Sequence, residues 1–315
     1  MKNNLKRTSI VLGLILATGI IFLSGMARPQ VELSYSQAEL VPAALSHEQY
    51  PPSRAEQVVR ALVAAYPRRV LRAEFRNGDW AVLLRDTWFY YAEGRMLPEE
   101  LRHRASEYSP IAFYNYPSEL PPWTPPSPEQ INRFRDINNE RAARRARAPY
   151  FFDALYRASN RSQAYDRVKT LRFLGHPVLI HYAILEDLSL VEELILTAAR
   201  TDPEVRAWIN NIGSVVGWNW RNVAGSQSRS FHAYGVAVDI LPRSPGGRAI
   251  YWLWAGPEWW NIPHERRYHP PDVVIRAFES YGFVWGGKWL FFDTMHFEYR
   301  PEVIILNGME LSSLR

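Results

Sequence analysis

The chain has 315 residues, 47% hydrophobic and 22% charged, which provides for a packed core and argues against a disordered, collagen-like or multi-span membrane protein. Its formal charge is +5, but Lys2, Lys6 and Arg7 supply part of that at the extreme N-terminus, leaving the body too weakly basic to argue for nucleic acid. Cysteine is absent, which excludes disulfides, thiolate metal sites, a Cys nucleophile and an acylated N-terminal Cys, so any metal must be held by His and carboxylates.

The basic start runs into an apolar stretch from Ile10 to Leu23 and then the small-residue pattern Gly25, Met26, Ala27, the order of an export signal. Residues 1–27 are therefore expected to be a signal peptide cleaved after Ala27, or an uncleaved membrane anchor, since residues 9–27 approach the roughly 20 that span a bilayer. Either way the body is expected outside the cytoplasm, in the periplasm or cell envelope, with the inner membrane as the anchoring surface.

Residues 28–126 read as an accessory region. Val58, Val59, Leu62 and Val63 at helical spacing predict a helix over 54–66 that Pro67 ends. Runs at Leu71–Phe75, Trp80–Leu84 and Trp88–Tyr91, with Asn77-Gly78 as a turn, predict a small β-meander. Six prolines between Pro117 and Pro128 then predict an extended linker or wrapping arm.

Residues 127–315 are expected to form the main domain. Ser127 and Pro128 start a helix running to about Ala148, whose many arginines read as a solvated face. Leu188, Val191, Leu194, Ile195 and Ala198 put an apolar stripe on a second helix. A strand is expected at Val215–Trp220, a hairpin arm at Phe283–Trp289, and a helix at Pro271–Tyr281 that Gly282 ends. His176 and His181 flank an apolar run and read as packing or surface residues.

Chemistry concentrates in two segments. In Ser230-Phe-His232-Ala-Tyr-Gly235-Val-Ala-Val-Asp239, Gly235 permits a bend after His232, and Asp239 then shares a strand face with Ala237. In Asp293-Thr-Met-His296-Phe-Glu298-Tyr299, His296 and Glu298 alternate with apolar neighbours. Two strands of one sheet can thus aim Asp239 and His296 at one point, with His232 arriving from the bend. Two neutral imidazoles and one carboxylate suit a single zinc ion with an open fourth position for water. Asp293 is placed to take a proton from that water and deliver it to a departing nitrogen. Glu298 reads as a structural carboxylate beside His296.

The pattern Ser-x-His-x-x-Gly-x-Ala-x-Asp followed by Asp-x-x-His-Phe-Glu resembles the zinc peptidases of bacterial cell walls, the D-alanyl-D-alanine carboxypeptidases and L-alanyl-D-glutamate endopeptidases of the hedgehog-like DD-peptidase fold. The resemblance covers roughly Leu188 to Pro301, within a motif-bearing core of about residues 186–301. It implies an α+β domain, a small antiparallel sheet with packed helices, with zinc ligands His232, Asp239 and His296 and a catalytic carboxylate at Asp293. Carboxypeptidases and dipeptidases of the family usually have Glu where this chain has Asp293, and Asp resembles the endopeptidase branch. The family also places an active-site arginine before the first ligand; Arg221 is the first choice and Arg229 the rival. Ser230, Trp252 and Trp254 are candidate cleft residues, although Ser230 can equally cap the bend and the tryptophans can equally form a satellite core. The implied substrate is the stem peptide of peptidoglycan; the alternative is a non-catalytic wall-binding protein retaining a structural zinc site.

Overall fold

The protein is seen here as a computed structural model that describes residues 52–312. The expected signal or anchor at 1–27, and the accessory region up to residue 51, lie outside the described residues. Among the described residues no helix is long and apolar enough to cross a membrane.

Helix α1 (Arg54–Ala65) starts at Ser53, whose hydroxyl accepts from the Glu56 amide, and buries Val58, Val59 and Leu62. The meander follows as β1 (Val70–Arg76), β2 (Asp79–Leu84) and β3 (Thr87–Tyr90), with Asn77 and Gly78 both at positive φ in the first turn. A two-residue β4 (Leu97–Pro98), too short for alternation to register, completes an antiparallel sheet ordered β1-β2-β3-β4. Residues 110–126 form no helix or strand, as their prolines require.

Helix α2 (Pro128–Glu140) has the anticipated cap, a reciprocal pair between Ser127 and Gln130, but it ends at Glu140 rather than near Ala148. Pro149 disfavours helical backbone just before it. The Ala146 carbonyl and the Arg147 amide are instead taken by the Ser109 amide and the Ser228 hydroxyl, which hold the chain extended. Helices α3 (Tyr150–Tyr156) and α4 (Arg161–Tyr165) and the hairpin β5 (Val168–Phe173) and β6 (His176–His181) were not expected. The helices are a turn or two long, below the length at which periodicity speaks.

Helix α5 (Leu185–Ala199) buries Leu188, Val191 and Ile195, whereas Leu194 is exposed. Then come α6 (Pro203–Asn210), β7 (Ile212–Val216), the one-turn α7 (Phe231–Tyr234), β8 (Ala237–Pro242), α8 (Asp272–Ser280), β9 (Phe283–Trp285), β10 (His296–Tyr299) and α9 (Pro301–Leu306). The last four strands form an antiparallel sheet ordered β7-β8-β10-β9, so the architecture is α+β. Two expected strands are shorter than their patterns. The first stops at Val216 because Gly217 is pressed onto the β5–β6 hairpin, where a Cβ would stand 2.1 Å from the Leu179 carbonyl oxygen. The second stops at Trp285, where Gly286–Lys288 makes a 3-10 turn.

One hydrophobic cluster joins Val58 and Leu62 of α1 and Val82 and Phe89 of the meander to Leu188, Val238, Phe278 and Phe297. The accessory region from residue 54 onward therefore shares its core with the motif-bearing region.

His181 is a packing residue of this core. Its Nε2 lies 2.9 Å from the Tyr156 carbonyl and its Nδ1 accepts from the Ala183 amide, so both ring nitrogens are used by the neutral form. Burial pushes its pKa down from 6.5 to about 4. Between these values the unfolded chain binds the extra proton, so stability falls as pH drops through that window, by on the order of 3 kcal/mol for this group. In chemical denaturation at pH 7 and pH 4, the parent should lose about that much more than His181→Gln.

Candidate metal centre

The site is built on adjacent strands and one helical turn. His296 of β10 sits directly across from Asp239 of β8, and Glu298 across from Ala237, so the acid and the imidazole share a face. His232 arrives from α7. Its amide donates to the Ser230 hydroxyl, which caps the turn, and Gly235, at φ 73°, ends it. A Cβ on Gly235 would stand 2.8 Å from Val168, so this bend admits no larger side chain without displacement.

Three ligand-type atoms converge. Asp239 Oδ1 lies 2.8 Å from His296 Nδ1 and 3.0 Å from His232 Nε2, and those nitrogens are 3.2 Å apart. The edges of a tetrahedron with zinc–nitrogen bonds of about 2.0 Å measure roughly 3.3 Å, so the triangle has the size of one face of a zinc shell. The outward nitrogens fix the tautomers. His232 Nδ1 is 2.6 Å from the Gly217 carbonyl and His296 Nε2 is 3.2 Å from Glu298 Oε2, and both partners accept. With protons on those outward nitrogens, both imidazoles turn a lone pair towards Asp239 Oδ1, the tautomers that ligate a metal ion. In those tautomers the three converging atoms make a donor set that fits a metal ion.

Burial pulls the His296 ring down, but the hydrogen bonds it donates to Asp239 and Glu298 outweigh it and push it up to about 10, so that metal ligation displaces a proton from Nδ1. Burial likewise pushes Asp239 up, and the two imidazoles more than reverse this, holding it well below the usual carboxylate range. Behind His296 runs a buried chain of alternating charge: Glu298 to Arg300 at 3.4 Å, Arg300 to Glu302, and Glu302 to the Tyr66 hydroxyl at 2.7 Å. Tyr66 follows α1, so the N-terminal region braces the far side of the site. Glu298→Gln should weaken zinc binding by roughly tenfold or more, read by competition against a chelator, because the neutral amide orients and polarises the ring less strongly.

Asp293 occupies a different environment from the ligands. Its segment is held by pairing with Tyr251, and its amide donates to Gly286, a residue whose Cβ would stand 2.5 Å from the Asp293 carbonyl oxygen. Its Oδ1 is buried without a hydrogen-bond partner. Burial raises its pKa to about 7; the charges of Asp239 and Glu298 add to this, while those of His296 and Arg221 oppose it. A carboxyl that exchanges its proton near neutrality, with a free oxygen, is suited to proton transfer.

The two arginine candidates separate cleanly. Residues 221–230 form a tight hairpin in which the Ser230 amide donates to the Arg221 carbonyl and Asn222 pairs with Arg229. Neighbouring positions on such a hairpin point to opposite faces. Arg229 turns to α3, where it bonds Asp153 and lies over the Trp220 ring, so it is a structural residue and not a cleft residue. Arg221 turns to the metal site, 3.9 Å from Asp239 Oδ2. Side-chain exposure rises from 1% at His232 through 12% at Asp239 to 40% at Arg221, which shows the direction in which the site opens. Ser230 is buried as a cap and does not line the cleft.

Of the two readings for Trp252, the satellite core is the one its surroundings match. It is buried in a satellite cluster with Trp259, Trp260 and Phe292, against which Ile131 and Phe134 of α2 pack. The expected solvated face of α2 is thus apolar on its inner side. Trp254 is 63% exposed, edge-on to Tyr251, and free to meet a ligand. Sequence reading missed Tyr251, the pairing partner of Asp293, and Trp289, whose ring lies 5.4 Å from that of His296. Both sit in aromatic-rich runs where no single ring stands out.

A buried His–Asp–His cluster, open on one side to a proton-exchanging carboxyl and an arginine, is an arrangement suited to a metal-dependent hydrolase. Residues 224–299 match the family model described as D-alanyl-D-alanine carboxypeptidase, and residues 58–113 match a domain of unknown function. No curated protein and no solved structure matches. The first match covers about a quarter of the chain and contains the His–Asp–His group and Asp293; it supports this peptidase family at a coarse level. Together the match and the cluster suggest a zinc peptidase.

Proposed function

We propose that the protein is a zinc-dependent peptidase of the cell envelope that hydrolyses stem peptides of peptidoglycan. The observation that carries this reading is the convergence of ligand atoms from His232, Asp239 and His296, together with a buried carboxyl, Asp293, that has an unengaged oxygen. His232, Asp239 and His296 would hold the ion. A bound zinc supplies Lewis acidity towards the scissile carbonyl and makes water a better nucleophile at neutral pH.

The remaining steps belong to the chain. Asp293 Oδ1 accepts the proton of the attacking water and returns it to the leaving nitrogen, a cycle open to a buried carboxyl oxygen with no other partner. Arg221, exposed at the rim and weakly engaged, is placed to bind anionic or carbonyl oxygen of the substrate. Glu298 and the Gly217 carbonyl keep both imidazoles in the ligating tautomer. Trp254 offers an exposed ring for the peptide or glycan to stack on. The unpartnered Asp293 favours catalysis over a purely structural ion site.

Incubating the zinc-loaded protein with purified muropeptides and weighing the products tests the reading. Loss of one alanine marks carboxypeptidase action and a split between L-alanine and D-glutamate marks endopeptidase action. Unchanged masses would overturn the proposal in favour of a wall-binding protein.

A further inference from the structure

Arg141 closes α2 at its C-terminus, outside both segments that match family models. Its guanidinium lies over two rings, 4.9 Å from Trp252 and 5.4 Å from Phe291. Its Nε would be 3.9 Å from a Cβ on Gly225, in the hairpin that begins with Arg221. Arg141 therefore bridges from the arginine-bearing hairpin to the strip that carries Tyr251 and Asp293. Among the described residues no carboxylate pairs with it and no hydrogen bond occupies its side chain. Arg221 is scarcely better engaged, with one 3.4 Å contact to the Asn222 carbonyl and Asp239 at 3.9 Å.

Two guanidiniums with unfilled donors therefore belong to segments that meet, the end of α2 and the 221–230 hairpin. The Tyr251 phenol ties them together, since burial and Asp293 raise it while both Arg141 and Arg221 pull it back. A guanidinium whose donors are unfilled can take an anion, and its fork matches a carboxylate. The rings beneath Arg141 hold it in place without consuming its donors.

We propose that Arg141 and Arg221 together seat a carboxylate of the substrate, carried by the residue whose amine is released. The assignment to the amine side follows from position: Tyr251 pairs with Asp293, the group that protonates the leaving nitrogen, so what lies around Tyr251 meets the residue bearing that nitrogen. Both a C-terminal D-alanine and a D-glutamate joined through its side chain carry such a carboxylate. The inference rests on the peptidase reading above and adds a specificity residue contributed by α2.

Binding is the direct test, measured by calorimetry on the zinc-loaded full chain carrying Asp293→Asn to keep peptides whole. The probes are acid and amide pairs: acetyl-lysyl-D-alanyl-D-alanine with its C-terminal amide, and L-alanyl-D-glutamate with L-alanyl-D-isoglutamine. With Arg141 present, the acid of at least one pair should bind about 10- to 100-fold more tightly than its amide, the range of a charge-assisted pair. Arg141→Gln should bring that ratio to within about threefold, and Arg141→Lys should leave it intermediate, since the charge stays and the fork is lost. A merely structural role would shift acid and amide alike, and thermal melts report any loss of fold. An acid preference that survives Arg141→Gln, or its absence with Arg141 in place, overturns the inference. Turnover by the parent is scored separately. Cleavage with no Arg141-dependent preference sinks the carboxylate seat alone; such a preference without cleavage sinks the peptidase reading alone.

Discussion

Asp293→Asn should bind one zinc ion as tightly as the parent and lose about 100- to 10,000-fold in turnover of stem peptides, the range associated with a positioned acid–base group. The carboxyl is not one of the three converging ligands, and its free Oδ1 has no structural partner to lose. Asparagine preserves size and the backbone pairing with Tyr251. What it removes is the ability to accept a proton and give it back, and nothing else in the opening can replace this, because Glu298 is committed to His296 and Arg300. Metal content by mass spectrometry and product masses from a muropeptide digest measure the two halves. Retention of more than about a tenth of parental turnover would reject the role given to Asp293.

His296→Ala should act on the earlier step. It removes one of three protein ligands and unties the carboxylate pair Asp239 and Glu298 that the ring bridges. Structural zinc sites are worth about 10–16 kcal/mol over their whole ligand set, so one ligand accounts for an affinity loss of roughly a thousandfold. Activity should vanish with the metal. Chelator competition reads the affinity, and undiminished zinc binding would show that the ion, if held, is held elsewhere. Together the two variants separate holding the ion from using it: one loses both, the other only turnover.

Much of this site was legible along the chain because strand alternation is a local rule. Asp239 and Ala237 in one strand, and His296 and Glu298 in the other, must each share a face, and the structure sets them opposite one another in register. Gly235 marked the bend that frees His232 from the strand's alternation, and it occupies the left-handed region such a bend uses. Shorter and non-local features were not legible. The strand after α6 ends at Val216, where Gly217 approaches Leu179 closely and the Trp218 amide donates to the Leu179 carbonyl, an approach from far back in the chain that no pattern in Val215–Trp220 reveals. The early end of α2 reflects hydrogen bonds from Ala146 and Arg147 to loops on either side in sequence.

What the amino-acid sequence determined by itself was the identity and spacing of the chemical groups: two imidazoles, an acid and a second acid three residues before the last ligand, on segments whose alternation left only one face for each. What the tertiary structure alone decided was orientation. Arg221 and Arg229 both precede His232 in one short segment, and only the hairpin, by sending alternate positions to opposite faces, turns one to Asp239 and the other to Asp153. Arg141 lies far from the motif and reads as one more charge on an arginine-rich helix; only the packing of α2 against the tryptophan cluster carries it to the hairpin that bears Arg221. Proximity between distant segments is set by burial of the apolar surface between them, and that surface is shared by residues no local pattern connects.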